Sequence, residues 1–223
     1  MQQVREDFNR IASLTAREAD AREVYANYLL RHFPASCDRA LEIGCGFGSM
    51  ARTIARRAKS VTALDLSPQM IAVARERSTD YPNLNFVLGD FLELDLPAEG
   101  YDLIVTLATL HHLPAGVALA KMKALLKPGG VLVLHDMMET DGLVDYAFNA
   151  IRLPLSVAVR LWQRGRFLPR REVRRAWAEH GRHESYLTPK GVQRLRDEHL
   201  PGGRVFRHLL WRYTIVWRKP DAT

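Results

Sequence analysis

The sequence is poor in cysteine and has no long apolar run, and both shortages narrow the class of protein. Its 223 residues include two cysteines, Cys37 and Cys45, which are too few for a disulfide framework and favour reduced thiols. The longest uncharged stretch, residues 103–120, is interrupted by Pro114, Gly116 and two histidines, so we expect no membrane span. The opening MQQVREDFNR is charged and lacks the apolar segment of a signal peptide. We therefore expect a soluble cytoplasmic protein built as one domain.

Positive charge is concentrated in the last third of the chain. Residues 152–219 contain 17 Lys or Arg against 5 Asp or Glu, whereas the net charge of the whole chain is +7, so the remainder is acidic. A basic surface of this kind can meet an anionic substrate, a membrane surface or RNA, or it can simply be solvated. Charge alone leaves these four interpretations open.

The middle of the chain alternates between short apolar runs and helical patterns. This alternation is typical of βα units on a parallel sheet, and the strand candidates are RALEIG, SVTALD, NFVLGD, YDLIVTL and GVLVLHD. Ser67 and Thr188, each followed by proline, are predicted N-caps of helices. Residues 211–218 alternate with period two, which predicts a closing pair of antiparallel strands.

The polar and glycine residues fall at the predicted carboxyl ends of these strands, where an open α/β sheet binds its ligands. The first strand ends in a glycine-rich turn, GCGFG, that lets a ligand approach the backbone. Asp65 follows Gly44 by 21 residues, the separation at which a carboxylate accepts two ribose hydroxyls. The third glycine is Gly48 and not residue 49, so the spacing favours a nucleoside without a pyrophosphate.

Five segments in this order resemble the class I S-adenosylmethionine-dependent methyltransferases, and together they cover residues 39–138. They are LEIGCGFGSM, VTALDLSPQMIAVAR, FVLGDFLELDLP, YDLIVTLATLHHLP and ALLKPGGVLVLHD. The resemblance implies an α/β fold with a Rossmann-like, doubly wound sheet of seven strands, mostly parallel with an antiparallel last strand. N-terminal helices and a helical lid insertion would complete it.

The predicted domain is one unit, 1–223, with four parts. Residues 1–34 form an N-terminal helical cap and 35–138 the cofactor-binding core. Residues 139–187 form the lid insertion that meets the substrate, and 188–223 the last helix and the closing hairpin.

The resemblance also implies which residues hold S-adenosylmethionine. Glu42, Gly44 and Gly46 would hold the methionine end, with Cys45 as a small residue of the same turn and not a nucleophile. The ribose and adenine would be held by residues after the second, third and fourth strands: Asp65, Leu66, Gly89, Asp90, Phe91 and Leu107. Taken without the resemblance, the apolar members of this set are equally well explained as core residues.

The segment after the fourth strand, TLATLHHLPAG, excludes several acceptor chemistries. It contains neither an Asn/Asp-Pro-Pro-aromatic motif nor a Pro-Cys pair, which argues against nucleobase or glutamine amides and against cytosine C5. It also lacks the acid with which catechol-type enzymes chelate a cation. We therefore expect transfer of methyl to an O, N or C atom of a small molecule. The alternatives are an RNA methyltransferase that uses the basic third and a cofactor-binding protein without transferase activity.

Three residues are candidate catalytic groups: His111, His135 and Asp136. Neighbouring side chains diverge by about 100° on a helix and point to opposite faces of a strand, so we expect His111 and His112 not to share an ion, and no metal site. The resemblance implies that His111 faces the reaction as a general base or an acceptor-orienting group, whereas His112 packs inward. His135 and Asp136 are rivals for the same role, and Asp136 is equally suited to cap the segment that follows.

The acceptor pocket is expected outside the core. Its candidate residues combine aromatic and basic side chains with one histidine: Tyr25, His112, Tyr146, Arg152 and Trp162. Such a set suits an anionic or amphipathic small molecule, and the apolar, basic insertion is also compatible with peripheral contact to a membrane. We do not expect nucleic acid as a partner, because no recognition module is visible.

Overall fold

The computed structural model describes residues 1–16, 25–139, 170–208 and 211–221, and its centre is one seven-stranded sheet. The strands are β1 (Cys37–Ile43), β2 (Ala58–Asp65), β3 (Leu84–Leu88), β4 (Tyr101–Leu107), β5 (Leu126–Met137), β6 (Arg204–His208) and β7 (Arg212–Arg218). Their order is β3-β2-β1-β4-β5-β7-β6. Within this sheet β7 alone points in the opposite direction to the other six strands. The predicted sheet is therefore confirmed, including its antiparallel last strand.

The helices flank the sheet. They are α1 (Gln2–Thr15), α2 (Ala26–Leu29), α3 (Ser49–Ala55), α4 (Pro68–Glu76), α5 (Ala115–Leu125), α6 (Arg171–His180) and α7 (Pro189–His199). Both predicted N-caps are confirmed. The Ser67 hydroxyl accepts from the Met70 N–H at 3.1 Å, and the Thr188 hydroxyl accepts from the Gly191 N–H at 3.1 Å. Among the described residues, no helix combines the length and the apolar content needed to cross a bilayer.

Strand β5 separates the core into two layers, because successive side chains of a strand point to opposite faces. Leu132 and Leu134 pack into the cluster that contains the buried side of α5 and α7. Val131 and Val133 pack into the cluster beneath α2 and α3. Side chains further along β5 therefore go alternately to one layer and then to the other.

Helices α1 and α6 lie against each other, although they are far apart in sequence. Arg10 of α1 forms an ion pair with Glu179 of α6, and the Arg170 guanidinium donates to the Leu14 carbonyl at 2.6 Å. The described end of the predicted insertion thus packs onto the N-terminal cap. This contact brings residues of both segments to the edge of the sheet.

Truncation of a central side chain tests the core. Ile104 of β4 is fully buried between neighbouring strands and helices. We expect Ile104→Ala to lower the free energy of unfolding by about 2–5 kcal/mol in urea titrations, because it leaves a cavity. The matched control is Val117→Ala, whose side chain is 61% exposed and whose loss should change stability by about 0.5 kcal/mol or less. Equal effects of the two substitutions would contradict the assignment of Ile104 to the core.

Candidate active site

The predicted site residues of the core do meet at one edge of the sheet. The glycine-rich turn follows β1, Asp65 ends β2, Gly89 and Asp90 follow β3, and Leu107 ends β4. Because β1 to β5 are parallel, their carboxyl ends share this edge, where ligands of open α/β sheets bind.

The glycine-rich turn uses its glycines for two different purposes. Gly44 has φ +75°, and a Cβ there would lie 2.1 Å from the Thr109 hydroxyl oxygen, so the turn after β1 rests directly on the turn after β4. Gly46 has φ +51°, and a Cβ there would meet no atom within 4 Å. The first glycine thus permits a contact inside the protein, and the second leaves space for a ligand to approach the backbone.

Asp65 is anchored beside that space. Its carboxylate accepts from the Gly46 N–H at 2.8 Å and from the Ser67 N–H at 2.9 Å. Burial raises the pKa of Asp65 above its ordinary value, although these backbone donors act in the opposite direction. A carboxylate offers about four acceptor positions. The backbone donors do not use all of these positions, so the carboxylate can also accept from a hydroxyl of a ligand, which fits the ribose of S-adenosylmethionine.

The other predicted cofactor residues surround the same edge. Glu42 and Cys45 are buried. Burial is the main reason that the pKa of the Cys45 thiol lies well above its usual range, so this thiol is not suited to act as a nucleophile. Asp90 accepts from the Leu92 N–H at 2.9 Å, and Phe91 is buried in the core. The remaining three, which are half-buried, are Leu66, Gly89 and Leu107. The donor and acceptor groups present here fit a nucleoside with a charged amino-acid tail.

The turn after β4 is tied to the end of β5 by His111 and Asp136. One Asp136 oxygen accepts from the His111 N–H at 3.1 Å, and the other lies 2.7 Å from His111 Nδ1. The sequence predicted separate candidates, whereas the structure makes them a pair. Asp136 reaches His111 because it follows Leu134 on the face of β5 that carries α5 and α7.

His111 is charged at neutral pH in this arrangement. Burial acts to lower its pKa, but the hydrogen bonds and charges of Asp136 and Glu184 prevail and raise the pKa of His111 to about 9. His112 behaves in the opposite way: burial, followed by the charge on His111, lowers the pKa of His112 to about 4. Of the two adjacent imidazoles, one is therefore a cation and the other is neutral.

Sequence reasoning missed three members of this site: His180, Glu184 and Asp7. His180 Nε2 lies 2.5 Å from Glu184 Oε1, and its Nδ1 lies 3.0 Å from Asp7 Oδ2. Tyr186 donates to the second oxygen of Glu184. Together with His111, His112 and Asp136 they form the histidine–carboxylate cluster: Asp7, His111, His112, Asp136, His180 and Glu184. One available signal was the spacing of four between His180 and Glu184, in a segment otherwise rich in arginine.

The two neighbouring histidines do not diverge as expected. Their ring centroids are 3.9 Å apart, because both imidazoles turn toward the Glu184 carboxylate. One ligand atom each of His111, His112 and Glu184 lies within 4.8 Å of the other two. The geometric reason for expecting no shared ion at this pair is therefore wrong.

His135 lies on the opposite face of β5 from Asp136. Its Nδ1 is 2.9 Å from the Thr214 hydroxyl, and its ring packs 4.5 Å from the ring of Tyr25. Burial first, then the charge of Arg212 and the neighbouring His208, lower the pKa of His135 to about 3. His135 is therefore a buried neutral imidazole, and Tyr25 shares its layer rather than that of the histidine–carboxylate cluster.

The remaining substrate candidates, Tyr146, Arg152 and Trp162, lie outside the described residues, as does most of the predicted lid.

Comparison with known proteins identifies the core. A family model described as a methyltransferase domain matches residues 40–130. An uncharacterized methyltransferase of Mycobacterium tuberculosis is 29% identical over 191 residues, which are 84% of this chain and 90% of the relative. A ubiquinone biosynthesis O-methyltransferase of Xylella fastidiosa is 34% identical over 122 residues, which are 52% of this chain and 49% of the relative.

A solved structure extends the likeness of fold to almost the whole chain. The N-methyltransferase NodS of Bradyrhizobium japonicum, in complex with S-adenosylhomocysteine, has a TM-score of 0.63 at 19% identity, and the match covers 99% of this chain and 98% of that one. The sheet, the glycine-rich turn and the family match define a Rossmann-like methyltransferase. The family match and the fold together support the predicted class I S-adenosylmethionine-dependent methyltransferase, with S-adenosylmethionine as its methyl donor.

Replacement of His135 tests its neutral, buried state. Its folded pKa of about 3 is below the ordinary value of 6.5, so the unfolded chain takes up the proton first as the pH falls. The stability contributed by neutral His135 is present above pH 6.5 and is lost toward pH 3. The free energy of unfolding of His135→Gln and of the parent is measured in urea at about pH 7 and about pH 4.5. We expect the variant to lose less stability between these two values, by up to about 1.4 kcal/mol per pH unit.

The matched control for this pH series is His199→Gln, on the exposed side of α7. It should leave the pH dependence of the free energy of unfolding as in the parent protein. If His135→Gln also left it unchanged, the neutral state of His135 would be refuted.

Proposed function

We propose that this methyltransferase acts on a small anionic or amphipathic molecule bound between the glycine-rich turn and the histidine–carboxylate cluster. The contact between Thr109 and Gly44 carries the proposal, because His111 stands two residues beyond Thr109. The turn after β4, which carries His111, therefore contacts the glycine-rich turn that would hold the cofactor. The acceptor would then reach both sites from one opening.

The cofactor would be held by residues at the carboxyl ends of the first four strands. Glu42, Gly44, Cys45 and Gly46 would contact the methionine end, and Asp65 would accept from the ribose hydroxyls. Adenine would lie among residues of the next turns: Leu66, Gly89, Asp90, Phe91 and Leu107. When bound, S-adenosylmethionine supplies an electrophilic methyl group that is displaced in line, so positioning of the acceptor provides much of the rate.

His111 would orient the acceptor. The Asp136 carboxylate fixes the ring, and the raised pKa, about 9, makes it a hydrogen-bond donor with positive charge at neutral pH. A charged donor attracts an anionic oxygen, so of the two roles expected for His111 we favour orientation over proton abstraction. His135 has no role in this proposal, because its ring lies in the other layer.

Two further points concern the acceptor and the compartment. The Xylella relative is named for O-methylation in ubiquinone biosynthesis and the Bradyrhizobium structure for N-methylation, so the fold serves both atoms. We propose an acceptor of metabolite size, with O, N and C as candidate atoms.

The two cysteines are free and buried, which suits the reducing cytoplasm.

Thermal unfolding with S-adenosylhomocysteine tests the cofactor site. We expect the compound to raise the melting temperature of the parent protein, because a ligand of the folded state stabilises it. Asp65→Ala should weaken binding roughly tenfold or more, equivalent to ~1.4 kcal/mol, by removing the ribose acceptor. The control is Asp80→Ala at an exposed acid after α4. If Asp65→Ala bound as the parent does, the assigned ribose contact would be wrong.

Transfer of a labelled methyl group tests the acceptor class. The protein is incubated with methyl-labelled S-adenosylmethionine and a cell extract that is afterwards separated into small molecules, RNA and protein. We expect label among the small molecules and a loss of roughly a hundredfold in rate for His111→Ala, with His199→Gln unaffected. Label in RNA would instead support a nucleic-acid substrate. No label in any fraction, with cofactor binding intact, would support a protein that binds without transferring.

A further inference from the structure

We propose that His111, His112 and Glu184 bind one divalent transition-metal ion of the zinc class, with one coordination position left open toward the acceptor. This goes beyond the proposed function, which requires no metal: with an ion bound, the ion and not a protonated His111 would attract the anionic oxygen of the acceptor. The three side chains come from two separate segments of the chain, and only 5%, 7% and 6% of their side-chain surfaces are exposed. Imidazole nitrogen and carboxylate oxygen are ligands that zinc and its neighbours prefer.

The distances between the ligand atoms match a metal site. His111 Nε2 lies 3.5 Å from one Glu184 oxygen, and His112 Nδ1 lies 3.2 Å from the other. Ligands about 2.0–2.1 Å from a tetrahedral zinc are about 3.3 Å from each other. Each imidazole is thus near this separation from one of the two Glu184 oxygens. With one ligand atom per residue, all three atoms lie within 4.8 Å of one another, and a bound ion would draw them closer together.

The neighbours of these ligands are those expected around a metal. A metal-bound histidine usually donates its second ring N–H to a carboxylate, which fixes the tautomer and the ring. His111 does this with Nδ1, 2.7 Å from Asp136 Oδ1, whereas its Nε2 faces Glu184 at 3.5 Å and would give up its proton to solvent when an ion binds there. His180, held by Asp7 at 3.0 Å, lies 2.5 Å from the same Glu184 oxygen that His112 faces, and it would orient that carboxylate.

Three protein ligands with an open fourth position are typical of catalytic zinc sites, whereas structural sites are closed by four. The open position of this site would take an anionic oxygen of the acceptor. Its location, two residues from the Thr109 contact with the glycine-rich turn, would hold that oxygen beside the cofactor. The metal thus refines the acceptor class to molecules that carry a carboxylate, a phosphate or an ionisable hydroxyl.

Metal retention by the full chain tests the proposal without any activity measurement. The purified protein is stripped with a chelator, titrated with Zn²⁺ or Co²⁺, desalted and assayed for metal by mass spectrometry. We expect one ion per chain, and for Co²⁺ a visible absorption spectrum typical of a four-coordinate site. Glu184→Gln and His112→Gln should each lose the bound ion, and Asp136→Asn should weaken metal binding by about 10–100-fold.

The control variant for metal binding is His199→Gln, which removes a partly exposed histidine outside the cluster and should retain one ion. Stabilisation by S-adenosylhomocysteine is measured on each variant, so loss of metal is scored only for folded protein. The proposal is overturned if the parent retains no stoichiometric metal, or if folded Glu184→Gln and His112→Gln both retain as much. In that event the cluster is an ion-paired network. Methyl transfer by the chelated protein would leave the proposed function intact.

Discussion

The arrangement of the whole site depends on the missing side chain at Gly44. Because no Cβ is present, the Thr109 side chain rests where one would stand, and the turns after β1 and β4 are pressed together. One turn is the proposed cofactor turn, and the other leads into the short helix Leu110–His112. A contact between a side chain and a glycine therefore fixes the spacing between the proposed cofactor site and the residue proposed to orient the acceptor.

Strand β5 contributes a second constraint, because its alternation assigns neighbouring polar residues to different environments. Asp136 faces the charged cluster and pairs with His111, whereas His135 faces Thr214 and Tyr25 and stays neutral. The same pleat that separates the two apolar layers thus separates an ionic site from a buried imidazole. Burial is severe on both faces, and the presence or absence of carboxylates decides which histidine carries charge.

The sheet and the cofactor edge could be predicted from sequence because their signals are local. Apolar runs, glycine and proline positions mark each strand and turn, and parallel strands bring their carboxyl ends to one edge. Asp65 and Gly46 were found in this way, and they meet within a hydrogen bond. Their proximity needed no knowledge of how the helices pack.

The histidine–carboxylate cluster could not be predicted in the same way. Asp7 meets His180 only because α1 docks on α6, and no local pattern encodes that contact. The expected divergence of His111 and His112 also failed for a tertiary reason: a carboxylate from a distant segment draws both rings to itself. Backbone periodicity predicts the direction of the Cα–Cβ bond, whereas tertiary contacts decide where the rest of a long side chain lies.

The link between Asp7 and His180 spans 173 residues of sequence, and this separation has a consequence for the order in which the protein is made. While the ribosome is still producing the central strands, α1 has emerged but its partner α6 does not yet exist. Contacts of such long range form late, after the closure of a large loop. The half proposed to bind the cofactor can therefore form its contacts first, and we expect the contact between Asp7 and His180 to be completed only after α6 has been made.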